Sequence, residues 1–130
     1  MPFQYLDVEG HEALTKLVAT QLEAQKRVFV LFFGSLNEED VSWCPDCVDC
    51  DSVVDECIKT TLSEVNDITL IKCYVGQKEC WRDEKCLFRT DEDFKLTCIP
   101  TLVQIGNREK RLEDQECQNI VLLNSFFFDN

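Results

Sequence analysis

Two cysteines separated by two residues, Cys44 and Cys47 in Ser42-Trp43-Cys44-Pro45-Asp46-Cys47, are the residues of this chain best suited to covalent chemistry. At a helix start such a pair can reach across to itself. The first thiol then lies beside backbone N–H groups without helical partners, at the positive end of the helix dipole. That position favours a thiolate at Cys44. A thiolate attacks a disulfide sulfur and forms a mixed disulfide, which a second thiol one turn inside the helix displaces. The expected roles are nucleophile for Cys44 and resolving thiol for Cys47, with reduced substrate and a Cys44–Cys47 disulfide as products. Pro45 suits the first helical turn, where its missing N–H costs nothing and its φ is already helical. Asp46 acts in two directions: its carboxylate suits the helix N-terminus, while its charge opposes ionisation of Cys44.

Metal ligation is the competing chemistry for cysteines at this spacing. A lone C-x2-C at a strand-to-helix junction, with His11 the one histidine of the chain, favours redox chemistry over a zinc site. Cys44, Cys47 and Cys50 also form C-x2-C-x2-C, and Cys57 lies two turns further on, so a cysteine-ligated metal module is an alternative. Four ligands along one helix converge poorly on one centre, so no metal is expected. Cys50 and Cys57 read as small hydrophobes of a buried stripe, Cys73 and Cys117 as core, and Cys80 and Cys86 as exposed thiols. Trp43, next to the nucleophile, reads as an apolar platform for docking substrate rather than as core. In Cys98-Ile99-Pro100-Thr101 an X-Pro bond precedes a strand; held cis, it would place flat backbone beside the sulfurs, where an extended substrate could pair.

These residues sit in a chain of 130 residues, 45% of them hydrophobic, enough for one ordinary core and too few for two; residues 1–130 are expected to form a single domain. The formal net charge of −12, from 25 acids against 13 bases, repels phosphate backbones and anionic lipid and argues against a nucleic-acid partner. Met1 to Gly10 does not read as a secretory leader, and no apolar run approaches membrane-spanning length. The chain is expected to stay in the cytoplasm, where cysteines serve redox or metal chemistry more often than a disulfide framework.

The elements that must position the pair follow from hydrophobic period. Phe3 to Val8 alternates as a short strand, and Leu14, Leu17, Val18 and Leu22 recur at helical spacing to about Gln25. Val28 to Phe33 is an unbroken apolar run, as in a central strand covered on both faces, and it points through an acidic loop, Asn37 to Asp40, at the cysteines. The motif then opens a helix whose apolar stripe runs from Cys47 to Val65. Ile68 to Val75 reads as a strand, Cys80 to Phe94 as a segment with a short helix, and Thr101 to Ile105 with Lys110 to Glu113 as a hairpin about Gly106-Asn107. Gln115 to Phe128 supplies an amphipathic closing helix. The order β-α-β-α-β-α-β-β-α predicts an α/β domain, a central mixed β-sheet with helices on both faces.

The stretches Phe32-Phe33-Gly34-Ser35, Ser42 to Val48, Val75-Gly76-Gln77-Lys78, Trp81-Arg82-Asp83, Phe88-Arg89, Ile99-Pro100-Thr101-Leu102 and Glu116-Cys117 resemble, in this order, the thioredoxin superfamily. The resemblance is closest to its small subgroup of thioredoxin-related proteins of fourteen kilodaltons, and it spans nearly the whole chain. It implies a thioredoxin fold, a cis Pro100, no bound cofactor beyond the Cys44–Cys47 dithiol/disulfide, and supporting roles beside the pair for Trp43, Pro45, Asp46, Ile99 and Pro100. It further implies a cytoplasmic reductase, expected to be a monomer and recycled by NADPH-dependent thioredoxin reductase, acting on protein and peptide disulfides, cystine or glutathione mixed disulfides. The acidic loop around Glu38, Glu39 and Asp40 is expected to take part in substrate selection. Since some members are linked to signalling partners such as a dynein light chain, a redox-sensing binding adaptor is the alternative. Two positions depart from the pattern. Thioredoxins carry a buried Asp in the strand before the motif where this chain has Leu31, which leaves water or Asp46 as proton acceptors for Cys47. Ser52 stands where a kink-forming proline is usual, so the motif helix is expected to run straighter.

Overall fold

The computed structural model describes residues 2–128. Five strands, β1 (Gln4–Glu9), β2 (Arg27–Phe33), β3 (Ile68–Tyr74), β4 (Thr101–Gln104) and β5 (Asn107–Glu113), form one sheet in the order β1-β3-β2-β4-β5. The first three run parallel; β4 is antiparallel to β2, and β5 to β4. Parallel neighbours need crossovers, supplied by α1 (His11–Glu23) between β1 and β2 and by α2 (Pro45–Cys57) between β2 and β3. This is the mixed α/β sheet of the thioredoxin fold, with β2 at its centre.

Every residue of β2 from Val28 to Phe33 is buried because both of its faces are covered. Phe29 meets Phe126 and Phe127 at centroid distances of 5.9 and 4.8 Å, on the side of α5 (Ile120–Phe126). Leu31, on the same face, packs with Val54 and Cys57 of α2 and Leu123 of α5. Phe32 points the other way, to Phe88 of α4 (Leu87–Thr90) and to Phe94, at 5.7 and 5.2 Å. His11, at the start of α1, meets the same two rings edge-on, and its Nε2 lies 2.7 Å from Asp91 Oδ2. Each fully buried Phe or Leu contributes about 1.5–3 kcal/mol, so this strand is the chief anchor of the sheet.

The largest differences from the sequence reading lie at the ends of elements. The motif helix is α-helical only to Cys57 and continues as a π turn, Ile58–Leu62, which still buries Leu62. The Cys80 to Phe94 region holds two short helices, α3 (Lys78–Arg82) and α4, where one was expected. The closing helix is likewise two pieces, a 3-10 turn over Asp114–Gln118 and then α5. Asn119 causes the break: its side chain accepts hydrogen bonds from the N–H groups of Val121 and Leu122, at 3.0 and 3.2 Å, and so caps a new helix. Cys117 therefore sits in the 3-10 turn, fully buried as expected of a core residue, while Phe128 is exposed. Among the described residues, no helix is long and apolar enough to cross a membrane.

Candidate active site

β2 ends at Phe33, and nine residues, Gly34 to Ser42, separate it from Trp43. The loop folds back on the strand that launches it. Ser42 Oγ donates to Gly34 O at 2.7 Å and accepts from Cys44 N at 3.2 Å, so one hydroxyl ties the strand end to the motif. Asn37 Oδ1 accepts from the N–H groups of Glu39 and Val41, which organises the acidic tip as an Asx turn, with Asp40 at φ 62°. Trp43 Nε1 donates to Gly76 O at 2.9 Å, anchoring the indole across the strand ends. Gly34 has to be a glycine for this arrangement. A Cβ there would lie 2.7 Å from Trp43 Cε2, and the indole cannot withdraw without breaking its bond to Gly76. Gly34→Ala is expected to cost about 1–3 kcal/mol in urea denaturation, as overpacking does. It should also shift tryptophan emission as Trp43 is pushed from Gly76; an unshifted spectrum and unchanged stability would refute this account of the close approach.

Cys44 is the N-cap of α2 and Pro45 occupies the first helical turn, as expected. The Cys44 sulfur accepts from Cys47 N at 3.3 Å and lies 3.8 Å from Ile99 O. The Ile99–Pro100 bond is cis. Its loop is fixed from behind by Asp114 N donating to Pro100 O at 2.8 Å and by Thr101 Oγ1 donating to Cys98 O at 2.8 Å. Cys44, Cys47, Ile99 and Pro100, separated by half the chain, thus meet at the sheet end where β2 and β4 are neighbours. A family model described as the thioredoxin domain of thioredoxin domain-containing protein 17-like proteins matches residues 7–129. The chain belongs to this family. It is 36% identical over 117 residues to thioredoxin domain-containing protein 17 of Mus musculus, covering 90% of this chain and 89% of that one. The corresponding protein of Homo sapiens is 34% identical over 128 residues, 98% of each chain, and the thioredoxin-like protein Clot of Arabidopsis thaliana is 36% identical over 108 residues, 80% and 78% of the two. Membership in a thioredoxin-like family supports a thiol oxidoreductase type of function in general, with disulfide-containing proteins as the general class of substrate.

Within this thioredoxin framework the two motif thiols differ sharply. Cys44 is 6% exposed and Cys47 fully buried. The Cys47 thiol donates to the Cys44 sulfur, and this, with the Cys47 N–H, draws the Cys44 pKa below its ordinary 9.0 against the opposition of burial and the Asp46 carboxylate. Of the effects foreseen for Asp46, its charge does raise the Cys44 pKa; its backbone N–H, which the sequence reading did not single out, lowers it. Burial and the hydrogen bond given to Cys44 push the Cys47 thiol far up. Burial first, and then the neighbouring Asp46 carboxylate, raise the Asp114 pKa.

Leu31 is fully buried and apolar, so β2 brings no acid to the motif. Its register partner on β3 is Lys72, a half-buried charge. Lys72 Nζ lies 2.6 Å from Asp51 Oδ1 of α2 and 4.7 Å above the Phe33 ring. Burial works against this ammonium, but the bond to Asp51 and nearby negative groups outweigh it and keep its pKa above the usual value. The pair acts on Cys50, whose thiol burial and Asp51 push up to about 12 while Lys72 pulls it down. Sequence reading missed this pair, although Lys72 is the one charge in the apolar run Ile68 to Val75.

Beside Cys44 opens a groove of about 430 Å³. Of the residues expected to support the pair, Trp43, Pro45 and Ile99 line it and Asp46 and Pro100 do not, while α3, Arg89 and Cys98 complete its wall. Trp43, read as a platform rather than as core, is both: it packs against the core and faces the groove. Trp81 is buried yet forms part of this wall. Cys50, Cys57, Cys73 and Cys117 are core residues, whereas Cys80 is exposed and Cys86 intermediate. Among the described residues no group of three or more His, Cys, Asp or Glu side chains is placed to hold a metal ion.

Proposed function

We propose that the chain is a thioredoxin-type disulfide reductase, acting as a single thioredoxin-like domain in the cytoplasm and recycled by NADPH-dependent thioredoxin reductase. Cys44 is the nucleophile and Cys47 the resolving thiol. The observation that carries this reading is the placing of the pair: the Cys44 sulfur stands at a helix N-cap beside the groove and accepts from the Cys47 N–H at 3.3 Å, with Cys47 fully buried behind it. The Cys44 thiolate attacks one sulfur of the substrate disulfide and the other leaves as a thiolate that takes a proton. Cys47 then loses its proton and attacks the Cys44 sulfur of the mixed disulfide, releasing the second substrate thiol. Two electrons pass from the protein dithiol to the substrate, and the Cys44–Cys47 disulfide is reduced again by the reductase. Trp43, Pro45, Asp46, Ile99 and Pro100 shape and support the docking surface. Protein and peptide disulfides, cystine and glutathione mixed disulfides are the substrates. Consumption of NADPH with thioredoxin reductase and cystine is expected from the wild type and absent from Cys44→Ser; activity that survives in Cys44→Ser would end this reading.

A further inference from the structure

The groove beside Cys44 carries a charge opposite to that of the chain. The net charge is −12, yet three of the groove-lining residues are the cations Lys78, Arg82 and Arg89, and none is Asp or Glu. Among the described residues, no carboxylate lies within ion-pairing distance of any of the three. Lys78 and Arg82 stand one helical turn apart on α3, both exposed. Arg89 is held in place: its Nε donates to Trp81 O at 2.7 Å and its guanidinium stacks 4.0 Å over the Trp81 ring. Those contacts use Nε and one face of the plane, and leave the two terminal nitrogens for the forked recognition that suits a carboxylate. Asp46, within the motif, and Asp114 do not line the groove.

We propose that Lys78, Arg82 and Arg89 are specificity determinants that select disulfides bearing a carboxylate near the scissile sulfur. The inference rests on the reductase reading above and adds the charge of the substrate to it. An acidic molecule repels anions at long range, and a cluster of unpaired cations at the mouth of the site reverses that field locally and orients the incoming disulfide with one sulfur towards Cys44. The chemistry is unchanged: Cys44 and Cys47 lose two electrons and two protons as their disulfide forms, and the substrate S–S bond takes them up to leave as two thiols.

Three symmetric disulfides of similar length test the idea on pre-reduced protein in single turnover: 3,3′-dithiodipropionate (dianion), 2-hydroxyethyl disulfide (neutral) and cystamine (dication). Each rate constant is divided by that of the same disulfide with 2-mercaptoethanol, to remove intrinsic reactivity. The normalised constants should fall in the order dianion, neutral, dication, and the spread should shrink as salt is added. In Arg89→Gln, and in the double variant Lys78→Gln with Arg82→Gln, the dianion-to-dication ratio should drop by about five- to tenfold, as expected for charge-assisted contacts at a partly exposed site. Arg89→Lys should retain part of it. The double variant alters two exposed residues, so it reads the charge even if Arg89→Gln loosens the tie to Trp81. Equal or reversed constants in the wild type, or a ratio that the variants leave unmoved, would overturn the selection while leaving the reductase standing. Failure to reduce any of the three would overturn the reductase reading and the selection with it.

Discussion

Cys47→Ser is expected to accumulate a mixed disulfide between Cys44 and the substrate, while Cys44→Ser accumulates none at Cys47. The asymmetry follows from burial and hydrogen bonding rather than from the spacing of the motif. Cys44 keeps a sliver of exposure beside the groove, and its sulfur accepts from the Cys47 N–H, a donor that serine at position 47 preserves. Its thiolate therefore survives the substitution, and attack on the substrate proceeds. Release does not, because the resolving sulfur has been removed; an external thiol must replace a neighbour already in place, and turnover should fall by at least about a thousandfold. Cys47 has no access to solvent, and its pKa is pushed far up, so the reverse variant presents no competent nucleophile. Intact mass followed by peptide mapping reads the outcome, and mapping is needed because Cys80 is exposed and Cys86 and Cys98 are half-buried. In the wild type, alkylation of Cys44 should level off with rising pH at a value below 9.0, the direction in which its pKa is moved. Adducts on Cys47 in Cys44→Ser, formed as fast as those on Cys44 in Cys47→Ser, would refute the assignment of roles.

The second large effect is on stability at alkaline pH. Cys47, Cys50, Cys57, Cys73 and Cys117 are each no more than 1% exposed, and burial raises every one of them above the ordinary thiol value of 9.0, Cys57 to about 11 and Cys50 to about 12. A group whose folded pKa is raised holds its proton in the fold after the unfolded chain has lost it. Its contribution to stability is fully present below pH 9 and is lost as pH rises towards the folded value. Each such thiol removes about 1.4 kcal/mol per pH unit over that window, so five acting together would exhaust the ~5–15 kcal/mol that holds a typical domain within about two units. Tyr5, raised to about 12 chiefly by burial, adds to the loss above pH 10. Lys72, whose charged form the fold favours, acts in the same direction, its contribution fading as pH climbs past 10.5. Cys44 has the opposite sign, its contribution being lost as pH falls below 9.0, but it is one group against many. Thermal melts under a non-thiol reductant between pH 7 and pH 11 should show the midpoint falling steeply above pH 9. A flat profile to pH 10.5 would contradict the raised thiols.

How far the molecule could be read in advance depended on how local each signal was. The run Val28 to Phe33 is legible as a central strand because a strand covered on both faces admits no polar residue, and the structure buries all six. The hairpin is legible because turn chemistry is confined to a few residues, but the turn falls on Ile105-Gly106 rather than Gly106-Asn107, and β5 begins at Asn107, ahead of the expected Lys110. The closing helix was read as one element because its apolar period carries through the break; the Asn119 cap interrupts the backbone without interrupting the pattern. The acid missing at Leu31 was visible in the chain, but its replacement was not. Lys72 belongs to another strand and Asp51 to a helix, and only the β2–β3 register and the packing of α2 on that face bring them within 2.6 Å.

The Cys44-Pro45-Asp46-Cys47 motif by itself pointed to thiol–disulfide chemistry, because a thiol pair at a helix start needs little beyond a one-turn separation and an N-cap to be reactive. Local residues likewise implied the strand that aims it. Tertiary structure alone decided which thiol is reachable, since exposure depends on what packs around each sulfur: Cys44 keeps 6% exposure beside the groove, 3.8 Å from Ile99 O, and Cys47 none. It also decided the sign of the charge around the site. Lys78, Arg82 and Arg89 are scattered among acids in sequence and gather beside Cys44 only once α3 and α4 fold against the sheet, because electrostatic fields add over space and not along the chain.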